Sequence, residues 1–130
     1  MIQKFVDRFM GEEDWIRGQF SKHPGSYYDI VKIVVQAIRS KDEHESPDPE
    51  RICGIDWSDY QGTLVYVIGA AGYQPTKYWY VFVGYGSCSG CDTLQGIRDD
   101  GPYDAPPNKE QIDDYYTLAL HIVQGIKEMQ

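Results

Sequence analysis

Residues 78–85 read YWYVFVGY, and this run of aromatic and β-branched side chains is a strong strand signal. Successive side chains of a strand point to opposite faces of the sheet. One face therefore carries Trp79, Val81, Val83 and Tyr85, and the other carries Tyr78, Tyr80, Phe82 and Gly84. Because neither face is polar, we expect helices to cover one of them and further structure or a partner to cover the other.

Two shorter strand signals precede this run, at about residues 52–57 and 63–69. They are rich in β-branched residues and are separated by turn-forming segments at residues 58–62 and 70–77. Connections this short favour antiparallel neighbours. The sequence therefore predicts a three-stranded antiparallel β-meander whose third strand spans residues 78–86.

Helical spacing of apolar residues predicts three helices before the meander. They cover residues 2–10, residues 12–20, and a longer stretch from Ser26 to about Arg39, where Ser26 and Asp29 resemble a capping box. Residues 40–50 contain two prolines and five acids, which predicts an acidic loop.

The helix pattern returns after the meander, with one or two turns at residues 92–98 and a long final helix. Asn108 and Gln111 have the spacing of a capping box at its start. Its buried stripe is expected to comprise Ile112, Tyr115, Tyr116, Ala119, Ile122, Val123 and Ile126. The predicted fold is a single α+β domain over residues 1–130, with N-terminal helices, a three-stranded antiparallel β-meander and a long C-terminal helix packed on the sheet.

Acidic residues dominate the charge of the chain. The formal net charge is −8, from 20 acids and 12 bases. One acidic cluster lies in residues 42–50, and another comprises Asp92, Asp99, Asp100, Asp104, Glu110, Asp113 and Asp114. Direct nucleic-acid binding needs basic surface to replace phosphate counterions, so we expect none. The charge permits a host or other protein partner with a basic surface, including one that itself binds nucleic acid. The alternative interpretation is a solvated surface that keeps the protein soluble.

The localisation predicted from the sequence is cytoplasmic. Residues 1–10 are too charged for a signal peptide, and no apolar run approaches the roughly 20 residues of a membrane span. Three cysteines, an odd number, suit a reducing compartment better than a disulfide framework.

Cys88 and Cys91 form a Cys-x-x-Cys pair between the third strand and the next helix signal. Three interpretations stay open: a redox dithiol, half of a zinc site, and a tight turn in which the thiols only pack. A zinc site needs two more ligands, and the remaining Cys and His residues are Cys53, His23, His44 and His121. Cys53 is expected to start the first strand, at the opposite end of the sheet from Cys88, and His23 and His44 are expected to be solvated. We therefore predict no cofactor, with zinc as the alternative.

A candidate binding patch follows from the meander, because the first and third strands end at the same edge. The patch comprises Asp56, Asp59, Gln61, Tyr85, Cys88, Cys91, Asp92 and Gln95. The acidic residues Asp99, Asp100 and Asp104 extend it. Asp56 and Asp59 are better explained as turn-forming residues than as an acid–base pair. No catalytic motif is present, so nothing in the sequence requires an enzyme.

Three strings in the middle of the chain, DYQGT at 59–63, YQP at 73–75 and YGSCSGCDTLQ at 85–95, resemble small uncharacterised bacteriophage proteins. The resemblance covers about residues 56–97 and carries no catalytic residues. It implies an accessory product that acts in a bacterial host cytosol, where such proteins commonly bind and inhibit host machinery, including nucleic-acid-directed defence.

The function predicted from the sequence is therefore non-catalytic: an acidic phage accessory protein that binds a host protein as an inhibitor. Two alternatives remain open. One is a small metal-binding or thiol-redox protein centred on Cys88 and Cys91, and the other is a small-ligand-binding protein that uses the tyrosine- and glycine-rich patch.

Overall fold

A computed structural model describes residues 2–43, 45–56, 63–72, 76–84, 93–101 and 104–129. Three helices come first in the chain, α1 (Gln3–Gly11), α2 (Glu13–Gln19) and α3 (Tyr27–Ile38). Three strands follow, β1 (Pro47–Asp56), β2 (Thr63–Ala70) and β3 (Tyr78–Gly84). The chain then forms α4 (Thr93–Asp99), α5 (Lys109–Gln124) and the two-residue strand β4 (Lys127–Glu128).

The predicted α+β class and antiparallel meander are confirmed, but the sheet has a fourth strand within the described residues. The strand order is β1-β2-β3-β4, and every neighbouring pair is antiparallel. The chain leaves α5, turns at Gly125 and pairs Lys127 with Tyr80. The long helix is therefore not the last element, and the three-strand prediction was wrong because β4 is too short to show a strand period.

Strand β1 begins at Pro47, so the prediction that residues 40–50 form a loop was wrong over its last four residues. Proline is compatible with an edge strand, whose outward N–H groups have no ladder partner to lose, and β1 lies at the edge of the sheet. The register shifts between Pro47 and Ile52, which is how edge strands commonly absorb an irregular residue.

All five helices lie on one side of the sheet. The inward side chains of β3, Trp79, Val81 and Val83, are buried in one core with residues of every helix. The alternation predicted for β3 is confirmed over residues 78–84, since Tyr78 and Phe82 on the outer face are exposed. Tyr85 lies outside the described residues.

Helix α5 begins as predicted. The Asn108 side chain accepts a hydrogen bond from the Gln111 N–H (2.8 Å), and the Gln111 side chain accepts one from the Asn108 N–H (2.9 Å). The predicted stripe is buried except for Ile112, which is partly buried. Ile126 belongs to the core but lies beyond the end of the helix.

Helix α3 begins at Tyr27, but its predicted capping box does not form. The Ser26 side chain makes no capping hydrogen bond. The Asp29 carboxylate instead accepts from the Gly25 N–H (2.8 Å), one residue before the expected donor. In the described part of the chain, no helix has the length and apolar character required to cross a bilayer.

Candidate functional site

The most concentrated unpaired charge in the described structure lies where α4 ends and α5 begins. Carboxylate oxygens of Asp100, Glu110 and Asp114 lie within 4.8 Å of one another, and all three residues are exposed. Asp99, the last residue of α4, and Asp104, in the connection to α5, are also exposed. We call these five residues the acidic surface: Asp99, Asp100, Asp104, Glu110 and Asp114.

The side chain of Gln111 holds the two halves of the acidic surface together. It is 1% exposed, and its Nε2 donates to the carbonyl oxygens of Ile97 (3.0 Å) and Arg98 (3.2 Å). These are carbonyls of the last turn of α4, which have no partner within their own helix. Gln111 therefore binds the end of α4 to the start of α5 and fixes Asp100 beside Glu110.

Two bases adjoin the acidic surface in sequence, Arg98 beside Asp99 and Lys109 beside Glu110, and neither makes an ion pair with it. Arg98 donates from a guanidinium nitrogen to the Pro24 carbonyl, and it also interacts with the buried Tyr115 hydroxyl. Among the described residues, no Lys, Arg or His makes an ion pair with any of the five carboxylates. Their neighbour Asp113 is different, because Arg17 pairs with it across α2 and α5.

Most of the second acidic cluster, in residues 42–50, is bound within the fold, whereas Asp42 is exposed and makes no ion pair with a described residue. The hydrogen bonds from Arg8 (2.8 Å) and Lys4 (3.0 Å) lower the pKa of Glu43 to about 2. Glu45 accepts hydrogen bonds from the Thr76 backbone and hydroxyl, and the other ion pairs join Asp48 to Arg51 and Glu50 to Lys32. These contacts join α1 to Glu43 in the loop before β1, and α3 to Glu50 in β1. The paired charges of this cluster therefore stabilise the fold.

His23 borders the acidic surface, and both of its ring nitrogens have partners within the fold. Its Nε2 lies 3.1 Å from the Ala105 carbonyl and its Nδ1 lies 2.7 Å from the Tyr115 hydroxyl. A carbonyl only accepts, so Nε2 carries the proton and Nδ1 accepts from Tyr115 in the neutral ring. The expectation that His23 is solvated was wrong, because Nε2 contacts the segment between α4 and α5 and Nδ1 contacts Tyr115 of α5.

An open cleft of about 570 Å³ runs along the same edge and is lined by His23, Arg98, Asp99, Gly101 and Asp104. Gly101 is needed there, because a Cβ at this position would lie 2.7 Å from the side-chain nitrogen and oxygen of Gln111. The cleft therefore continues the acidic surface around the end of α4.

Most of the patch predicted from the sequence lies outside the described residues, namely Asp59, Gln61, Tyr85, Cys88, Cys91 and Asp92. Asp56 ends β1 and pairs with Leu64. Gln95 is exposed on α4 and lines a cleft with Leu64 and Tyr66. Asp56 and Gln95 thus both lie at the end of the sheet where β2 begins.

The sequence interpretation named Asp99, Asp100 and Asp104 as contact residues but left out Glu110 and Asp114. A local signal could have found them, since residues four apart share one face of a helix. What the sequence did not indicate is that this face of α5 lies against the end of α4.

The proposed zinc ligands are only partly described. Cys53 is exposed in the middle of β1, opposite Val67, and does not start the strand as expected. His121 is exposed near the end of α5, while Cys88, Cys91 and His44 lie outside the described residues. The zinc and thiol hypotheses therefore stay predictions. The clustered carboxylates are hard oxygen ligands and do not resemble the Cys and His sets that bind zinc.

No family model, curated protein or solved structure matches this chain. The acidic surface itself therefore indicates what the chain can bind. Fixed, exposed and unpaired carboxylates attract ammonium and guanidinium groups, so this arrangement is suited to binding a Lys- or Arg-rich surface.

Proposed function

We propose that this chain is a non-catalytic binding protein whose acidic surface occupies a basic site on a partner protein. One observation carries the proposal: Asp100, Glu110 and Asp114 converge on an exposed surface without a described cation, while Glu43, Asp48 and Glu50 of the second cluster are paired. Like charges this close repel each other in the free protein. A partner that supplies Lys or Arg groups relieves that repulsion on binding.

The chemistry of the partner follows from the charge of the acidic surface. Five exposed carboxylates from the end of α4, the connection that follows and α5 give this surface a high density of negative charge, as a phosphate backbone has. A protein site that holds nucleic-acid phosphates with Lys and Arg is therefore the natural target. The resemblance of residues 56–97 to bacteriophage accessory proteins supports a bacterial host protein as that target and inhibition as the result.

The test is capture from a bacterial lysate by the immobilised full chain, with quantitative mass spectrometry of the retained proteins. The wild type is compared with the triple variant D100N/E110Q/D114N, which removes three charges with little change in side-chain volume. We expect the leading captured protein to fall at least tenfold at low salt. The difference should shrink as NaCl is raised, because screening shortens the range of surface electrostatics to about 10 Å at 0.1 M.

A matched control separates a local effect from an effect of net charge. The variant D14N/D42N/E128Q removes three exposed charges outside the acidic surface and should capture as well as the wild type. A DNA oligonucleotide should release the captured protein if its basic site is the one occupied. Equal loss in both variants, or no loss in the first, would contradict the proposal.

A further inference from the structure

The outer face of the sheet is apolar and bears no helix among the described residues. Four of the seven exposed large hydrophobic residues lie on it or on its continuation: Ile55 (50% exposed), Tyr78 (42%), Phe82 (55%) and Met129 (47%). The strand register places Ile55 and Phe82 on either side of Val65. Met129 donates its N–H to the Tyr78 carbonyl (2.8 Å) and so extends the same surface beyond β4.

The charges on this face lie on the edge strands: Arg51 of β1 lies over Gly69 beside Tyr78, and Lys127 of β4 is paired with Tyr80. Every outer position of β2 and β3 falls in the described part of the chain, and none of these positions is charged: Thr63, Val65, Val67, Gly69, Tyr78, Tyr80, Phe82 and Gly84. The acidic surface lies in the helix layer on the other side of the sheet. Contiguous apolar surface of this kind on a charged protein marks an interaction site.

We propose that the outer face packs against the same face of a second copy, forming a two-fold dimer with two stacked sheets. Sheets stack face to face about 10 Å apart with their strands roughly aligned. A flat surface whose central positions are all uncharged is complementary to itself, as a two-fold interface requires. The dimer is independent of the partner binding proposed above, because it leaves both acidic surfaces exposed.

The area available suits a weak dimer, since the four most exposed side chains of this face supply about half of a standard interface. With about 200 Å² for each large side chain, the exposed fractions of Ile55, Tyr78, Phe82 and Met129 provide roughly 400 Å² per copy. Tyr80, Val67 and Cys53 add to this from the same face. A standard interface buries about 800 Å² per partner, and homodimer interfaces are the more apolar ones.

Electrostatics also permits a second copy. In the stacked arrangement each acidic surface is separated from its counterpart by two sheets and two helix layers, each about 10 Å thick. That distance exceeds the screening length of about 8 Å at physiological salt, so a chain of net charge −8 can associate through this face. An aromatic sheet could also stack single-stranded bases, but Arg51 on this face is bound to Asp48 (3.4 Å) and to the Gly72 carbonyl. Lys127 is then the one base on the described face without an ion pair, which disfavours that occupant.

The test is the solution mass by sedimentation velocity from 1 to 200 µM, with reductant present so that thiols do not cross-link. The wild type should shift towards twice 14.9 kDa as the concentration rises. Ile55→Lys and Phe82→Lys each place a charge on the face and should weaken the dimer at least 100-fold. Both positions are exposed, so thermal unfolding should show that each variant remains folded.

Met10→Lys is the matched control, because Met10 is 56% exposed on α1, away from the face. It should dimerise like the wild type. A wild type that stays monomeric at 200 µM, or a dimer that survives both lysine substitutions, overturns the proposal. Binding of an oligothymidylate that Phe82→Lys abolishes would assign the face to nucleic acid instead, and would also overturn it.

Discussion

Replacement of Gln111 tests whether polar contacts, and not packing alone, join α4 to α5. Gln111→Leu keeps much of the buried volume but removes the hydrogen bonds to the carbonyls of Ile97 and Arg98 and the one from the Asn108 N–H. At about 1 kcal/mol for each net hydrogen bond, the free energy of unfolding should fall by about 3 kcal/mol. The Ile97 carbonyl keeps a hydrogen bond from the Asp100 N–H (3.2 Å), so it adds no penalty for an unpaired acceptor to that sum.

The assay is urea unfolding followed by far-UV circular dichroism, with a thermal melt as a second measure. A domain of this size should lose roughly 10 °C in Tm for a 3 kcal/mol change. Gln111→Glu is the matched control, because it preserves shape but turns a donor into an acceptor facing two carbonyls. It should destabilise the fold at least as much as Gln111→Leu. Losses below about 1 kcal/mol in both variants, or a harmless Gln111→Glu, would refute the hydrogen-bond argument.

Two further predictions concern stability. Because the hydrogen bond from Arg8 holds the pKa of Glu43 at about 2, below its usual 4.5, the stabilisation by Glu43 is complete above pH 4.5 and is lost as the pH falls towards 2. The Tm difference between the wild type and Glu43→Gln should therefore vanish over that range, and a constant difference would contradict it. Gly54→Ala places a Cβ 2.9 Å from the Tyr66 ring, so it should lower the free energy of unfolding in urea by about 1–3 kcal/mol. Gly96→Ala is the control, because its Cβ meets nothing within 4 Å, and it should be neutral or stabilising. Equal effects of the two substitutions would refute the steric argument.

The elements that the sequence predicted well are those with local signals. The capping box of Asn108 and Gln111 involves residues three apart, and it forms as expected. The alternation in β3 needs no knowledge of the partner strands, although which of its two apolar faces is buried could not be read from the run. Such signals survive folding because the contacts they describe lie within one element.

The missed elements depend on a distant partner. Pro47 and Pro49 are typical of a loop, and only the place of β1 at the sheet edge makes them acceptable in a strand. Strand β4 exists because Lys127 reaches Tyr80, more than forty residues earlier in the chain. Neither fact has a counterpart in local periodicity.

The candidate site was also predicted only where the signal was local. Charge density alone pointed to Asp99, Asp100 and Asp104. Their approach to Glu110 depends on the buried amide of Gln111, which the sequence interpretation had assigned only a capping role. The sequence also could not distinguish the unpaired acids from those of residues 42–50, because the cations that neutralise Glu43 come from α1.

The aromatic contacts of the first two helices bear on how the chain behaves while it is being made. The Phe9 ring packs on Tyr116 at a centroid distance of 5.2 Å, and the Phe20 ring packs on Tyr115 at 5.4 Å. These partners emerge from the ribosome about a hundred residues after the helices that need them. Contacts so distant along the chain form slowly and leave apolar surface open in the interval. The nascent chain should therefore present α1 and α2 to chaperones until α5 has been synthesised, and its core should close after translation.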